Sequence, residues 1–196
     1  MKKIFLAFVL VLSMSLLQGC SIISSVMDVL AEASAKDAEP ELIKSASGPF
    51  SIEIPAGCEQ PKEGDLNEAA NLEAMDSSKE LYFMSIMENK ADFDLDLVGY
   101  RDFVVEYNEE VYGTSFGDPV KTKVGNYDAY AYEFHATSPD GINTYMRLFV
   151  IETENYYGQL YAWTLKSLEA ENKEVLGSMV NTFKETKETT DTEAAD

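Results

Sequence analysis

The side chains able to do chemistry in this sequence are few and far apart. Cys20 and Cys58 are the only cysteines, His135 is the only histidine, and Arg101 and Arg147 are the only arginines. A single histidine with no neighbouring cysteine cannot supply the three or four nitrogen and sulfur ligands of a common zinc site. Cys58 has no nucleophile motif around it, so it reads as a small buried apolar residue. Asp92, Asp94 and Asp96 alternate as the acids of a calcium loop do. An EF-hand needs Gly at its sixth position and Glu at its twelfth, and those places hold Leu97 and Phe103, so the acids read as the start of a helix. No G-x-S-x-G, phosphate-loop or dinucleotide signature occurs. The expectation is therefore a protein with no catalytic residues, no metal and no cofactor, and His135 reads as structural or surface. Tyr156, Tyr157, Tyr161 and Trp163 suit either a binding surface or the core of a sheet, with the core favoured.

The N-terminus carries the clearest chemical signal. Met1-Lys2-Lys3 is a short cationic start, and Ile4 to Leu17 is an apolar run broken only by Ser13 and Ser15. This run is short for a stable membrane span and suits the core of a signal peptide. It ends in Leu17-Gln18-Gly19-Cys20, which resembles the lipobox of a bacterial lipoprotein signal: Leu, a tolerant position, Gly or Ala, then Cys. Gln18 departs from the usual Ser or Ala at the tolerant position. The resemblance implies cleavage between Gly19 and Cys20, a diacylglyceryl thioether on the Cys20 sulfur, and acylation, palmitate included, of the new amine. Two or more acyl chains give stable anchoring where one gives only marginal binding, at about 0.8 kcal/mol per buried CH₂. With Cys20 lipidated, Cys58 has no partner for an intrachain disulfide, and an exported domain must rely on its core.

Acidic residues number 35 against 15 basic ones, and none lies before Cys20. That field excludes nucleic acid as a partner, because its backbone is bound through Lys and Arg clusters. Residues 20–47 read as the lipidated N-terminus and a flexible tether, with root-mean-square reach on the order of 30 Å. Ile22, Ile23, Val26, Val29 and Leu30 could line one side of a short helix at the lipid surface. Apolar residues nearly vanish from about Lys184, and residues 186–196 read as a disordered acidic tail.

The folded domain is expected over residues 48–185, organised around an antiparallel meander from about Val120 to Leu165. Gly125-Asn126, Pro139-Asp140-Gly141 and Glu154-Asn155 mark its turns. Tyr130, Tyr132 and Phe134 lie on one side of their strand, with Ala129 and Ala131 on the other. Met146, Leu148 and Val150 likewise oppose Tyr145, Phe149 and Ile151. A sheet apolar on both faces must be covered on both. Upstream, Phe50 to Pro55, Asn71 to Met75 and Leu81 to Met87 read as strands, with a turn over Asp76-Ser77-Ser78-Lys79. Leu97, Tyr100, Val104 and Tyr107 recur at helical spacing, with Asp94 or Asp96 as N-cap and Gly113 following. Leu168, Val175, Leu176, Met179, Val180 and Phe183 form the stripe of a last helix, and Glu169 and Glu171 complement its dipole.

This order, with Phe50-Ser-Ile-Glu-Ile-Pro-Ala-Gly, the Val124-Gly125-Asn126-Tyr127 hairpin and Met179-Val-Asn-Thr-Phe183, resembles the PsbP-like superfamily. The Ran-binding nuclear import factor and several small bacterial lipoproteins share that fold. The resemblance covers about residues 48–185, and Cys58 stands where the opening motif often has tryptophan. It implies an α+β fold, an antiparallel sheet of about six strands flanked by helices on both faces, and a binding or assembly role. The expected setting is the extracytoplasmic face of a bacterial cell membrane, with a protein partner. A carrier of a small apolar ligand, held in a cavity between sheet and helix, is the competing expectation.

Overall fold

The computed structural model describes residues 39–62 and 64–186. Gly19, Cys20, residues 22–33 and the acidic tail from Lys187 lie outside the described residues. Six strands form the main sheet: β3 (Leu72–Asp76), β4 (Leu81–Asn89), β5 (Val120–Val124), β6 (Tyr127–Thr137), β7 (Asn143–Glu152) and β8 (Tyr156–Leu165). Their spatial order is β3-β4-β8-β7-β6-β5, and every neighbouring pair is antiparallel. The meander is thus the body of the sheet, its turns fall where Gly125, Gly141 and Asn155 stand, and β3–β4 adds a hairpin on the β8 side.

Strand alternation divides the side chains between two cores. One face sends Tyr132, Phe134, Met146, Leu148, Tyr161 and Trp163 under helix α1 (Leu97–Tyr112). The other sends Phe83, Tyr145, Phe149, Ile151 and Leu160 under helix α2 (Glu169–Val180), which contributes Leu176, Met179 and Val180. Burying a large apolar side chain contributes about 1.5–3 kcal/mol, which is why β7 and β8, apolar on both sides, sit inside the sheet and not at its edge.

A smaller sheet departs from the expected arrangement. β2 (Phe50–Ile54) does not join the main sheet; it pairs with β1 (Glu41–Lys44) on one side and β9 (Lys184–Glu185) on the other. This three-stranded layer covers the α2 face beside the helix, placing Ile43, Phe50, Ile52 and Ile54 in the same core. Residues 41–44, expected within the tether, are therefore folded: Ile43 is buried, with Leu42 exposed on the opposite side. Lys184 and Glu185, where apolar residues nearly vanish, are still held in place as β9. The Glu185 carboxylate accepts hydrogen bonds from Asn155 Nδ2 (2.7 Å) and Glu154 N (3.1 Å), and its own N–H donates to Tyr127 Oη (2.9 Å).

Candidate interaction surface

Helix α1 begins where the acid run ends. Asp96 is its N-cap, with Oδ1 accepting from the Gly99 N–H at 2.8 Å, and Gly113 closes it in the left-handed region at φ 61°. Both match what these residue types do at helix ends. Of the three alternating acids only Asp96 has this role. Asp92 lies in a short 3-10 helix and Asp94 is exposed. Among the described residues no group of three or more His, Cys, Asp or Glu side chains is placed to hold a metal ion.

The inner face of α1 is fixed by polar contacts as well as packing. Tyr100 and Val104 are buried, and the next buried position is Asn108 rather than the expected Tyr107. Asn108 Nδ2 donates to the Val104 carbonyl at 2.8 Å, and its Oδ1 lies 2.8 Å from the Tyr161 hydroxyl. That hydroxyl is also 2.8 Å from Gln159 Oε1, and Gln159 Nε2 donates to the Tyr100 hydroxyl at 3.3 Å. Tyr100 donates in turn to Glu88 at 2.6 Å. At the helix entrance the Tyr157 hydroxyl donates to the Leu95 carbonyl at 2.6 Å. Burial pushes the Tyr100 and Tyr161 hydroxyls well above the ordinary tyrosine range, so both remain neutral donors. Leaving any of these buried groups unpaired would cost about 1–3 kcal/mol, so the chain pins the rotation of α1 on the sheet.

Pinning one face determines the other. Leu95, Val98, Phe103 and Val111 project outward and are 40–47% exposed. Leu95, Phe103 and Val111 continue through Gly99 and Tyr107 at intervals of four, the spacing of a ridge on a helix surface. Residues 92–112 hold seven carboxylates and one arginine. Arg101 is committed to Asp102 (Nη2 to Oδ1, 2.5 Å) and to the Tyr130 ring (4.5 Å). Among the described residues neither Glu106 nor Glu110 has an ion-pair partner. The result is an apolar ridge bordered by free negative charge. An open groove of about 250 Å³ adjoins its N-terminal end, lined by Asp96, Leu97, Val98, Lys121, Asp128, Ala129, Tyr130 and Glu152.

The residues singled out from sequence for other chemistry lie elsewhere. Cys58 is buried, and burial, reinforced by the nearby Asp76 charge, pushes its thiol up to about 11, so it is not a poised nucleophile. His135 is on the α2 face, where Nε2 stands 2.8 Å from Glu169 Oε2 and joins β6 to the start of α2. Next to it Glu133 pairs with Lys173 (2.5 Å) and Arg147 (3.3 Å). This cluster fastens α2 to the sheet. A Cβ on Gly177 would sit 2.5 Å from Arg147 Nη1, so the bare glycine makes room for the guanidinium. Tyr157, Tyr161 and Trp163 are in the α1 core, and Tyr156, partly buried, packs edge-on against Phe50 at 4.9 Å at the margin of the other core. The outer ridge of α1 was the feature not singled out. Its signal was the four-residue spacing of Leu95, Phe103, Tyr107 and Val111, offset from the inner stripe by one position.

A six-stranded antiparallel sheet with a helix on each face and a small second sheet is the PsbP-like fold. Solved structures sharing it include cyanobacterial PsbP from Synechocystis, with TM-score 0.57 and 11% identity over 75% of this chain and 92% of that one. Another is LpqN of Mycobacterium tuberculosis, a protein involved in cell envelope biogenesis, with TM-score 0.50 and 11% identity over 78% of this chain and 94% of that one. A Bacteroides thetaiotaomicron protein matches with TM-score 0.53 and 15% identity over 77% of this chain, which spans only 50% of that one. No protein-family model and no curated protein matches the sequence. At these identities the likeness establishes the fold and leaves the activity to be argued from the site.

Proposed function

We propose that the protein is a lipid-anchored extracytoplasmic binding or assembly domain, held to a bacterial cell membrane through Cys20 and engaging a protein partner across the outer face of α1. The observation that carries the binding role is that face. Val98, Phe103 and Val111 on the helix, and Leu95 just ahead of its N-cap, are left 40–47% exposed, while Tyr100, Val104 and Asn108 lock the helix to the sheet. The anchor is supported by the leader and by Leu17-Gln18-Gly19-Cys20. No helix among the described residues is long and apolar enough to cross a membrane. The envelope role stated for LpqN fits the same setting. The carrier alternative has less support. The space beneath α1 is filled by close rings, Phe116 on Phe134 at 3.9 Å and Tyr100 on Tyr157 at 4.7 Å. The groove beside it is open, partly charged and smaller than the roughly 300–1,000 Å³ usual for ligand sites.

The test combines processing with location. Globomycin and Cys20→Ala should each block maturation and shift the protein out of the normal lipoprotein fraction, and protease added to intact spheroplasts should digest the wild-type domain. Unchanged processing and unchanged membrane retention in Cys20→Ala would refute the anchor.

A further inference from the structure

The proposed binding role leaves the partner's chemistry open, and the ridge narrows it. Its apolar positions on α1, Phe103, Tyr107 and Val111, recur every four residues, and Leu95 falls on the same spacing just ahead of the Asp96 N-cap. Such a ridge fits the groove between rows of side chains on another helix, crossing at one of the preferred helix-packing angles. An extended strand would instead seek free backbone hydrogen bonds at a sheet edge, and α1 has none to offer along its length. At Gly99 the ridge is notched: a Cβ there would meet Leu95 Cδ2 at 3.1 Å, so the absent side chain leaves a recess beside Leu95.

Charge then selects the sign of the partner. Asp102, Glu106 and Glu110 follow one another at the same four-residue interval beside the ridge, and all three are exposed. Only Asp102 is paired, to the neighbouring Arg101. A partner burying the ridge would remove water from Glu106 and Glu110, which requires cationic groups opposite them. A second copy of this chain would bring the same carboxylates to the contact, and an anionic lipid surface would be repelled. The α1 face is also across the main sheet from β1, where the chain arrives from Cys20.

We propose that the outer face of α1 receives a cationic amphipathic helix of a partner protein, whose apolar side seats on the Leu95–Phe103–Val111 ridge while its Lys and Arg residues meet Glu106 and Glu110. This rests on the proposed binding role. It is tested in cells with the full chain carrying the photo-crosslinker p-benzoylphenylalanine in place of Val111, or of Leu42 on β1 as the opposite-face control, followed by mapping of the crosslinked peptide. The expected product from position 111 is a segment with a Lys/Arg excess and apolar residues at helical spacing, absent from the position 42 product. Its yield should fall about tenfold when Glu106→Lys and Glu110→Lys are added, with an unchanged thermal melt showing that the charge-reversed protein still folds. Capture of lipid, of a second copy, or of an acidic or strand-forming segment would overturn the proposal, as would a yield indifferent to charge reversal. Those results would leave a binding domain of another specificity, whereas no protein captured from either position would overturn the binding role too.

Discussion

Truncating two adjacent residues of α1 should give effects in the reverse order of their size. Phe103 is 47% exposed and Val104 is 1% exposed. Full burial of a phenylalanine stabilises by up to about 3 kcal/mol, but about half of this ring already sits in water. Alanine is also the better helix former by about half a kcal/mol. Phe103→Ala should therefore change unfolding free energy by no more than about 1 kcal/mol. Val104→Ala removes a smaller group but leaves a cavity between α1 and the sheet, and should cost about 2 kcal/mol. For a domain of this size that is a fall in Tm of roughly 4–8 °C. Urea unfolding followed by fluorescence of Trp163, the only tryptophan and one buried on the same side of the sheet, reads both variants. Equal losses, or a larger loss for Phe103→Ala, would place the ring in the core and refute an outer face left free for a partner.

Further outcomes follow from the contacts around the two helices. Tyr161→Phe keeps the ring but removes the hydroxyl between Asn108 and Gln159, and should destabilise by about 1–3 kcal/mol in the same urea assay; no loss would show that this network does not fix α1. Gly177→Ala should destabilise because the added methyl meets Arg147 Nη1, and Arg147→Met in the same chain should reduce that loss; a cycle with no coupling would refute the contact. With the Cys58 thiol raised to about 11 from an ordinary 9.0, only about 0.1% is thiolate at pH 8. Iodoacetamide should then label the native protein about 100-fold more slowly than the unfolded one, and equal rates would contradict burial. The sign of the linkage is also set: between pH 9 and 11 the folded state keeps a proton that the unfolded state has released, so this thiol's contribution to stability is lost as pH rises through that window.

The parts of the fold legible in the sequence are those specified by neighbours in the chain. The meander carried its turns at Gly125-Asn126 and Pro139-Asp140-Gly141, and its alternating faces assigned Tyr132 and Ala131 to opposite cores. Helix α1 was marked by Asp96 and Gly113 at its ends. The small sheet was not legible, because β2 pairs with Lys184–Glu185, more than 120 residues away in the chain, and with a β1 whose only buried residue is Ile43. Asn108 was missed for a related reason: a polar residue at a helix position reads as solvent-facing until Tyr161, 53 positions later, supplies its partner. The ridge on α1 was not legible because Phe103 and Tyr107 are each one position from a buried residue, so the apolar pattern alone does not say which of the two rows faces the sheet. Its exposure becomes visible only when Tyr100 and Asn108 are seen to fix the opposite side.

The proposed membrane anchor depends on how the mature chain begins. Intact-mass and peptide mass spectrometry of the protein extracted from membranes decides this directly. A lipid-anchored protein should start at Cys20, with a diacylglyceryl group on its sulfur and an acyl chain on its amine. A mature chain that starts at another residue, or carries Cys20 as a free thiol, would contradict it.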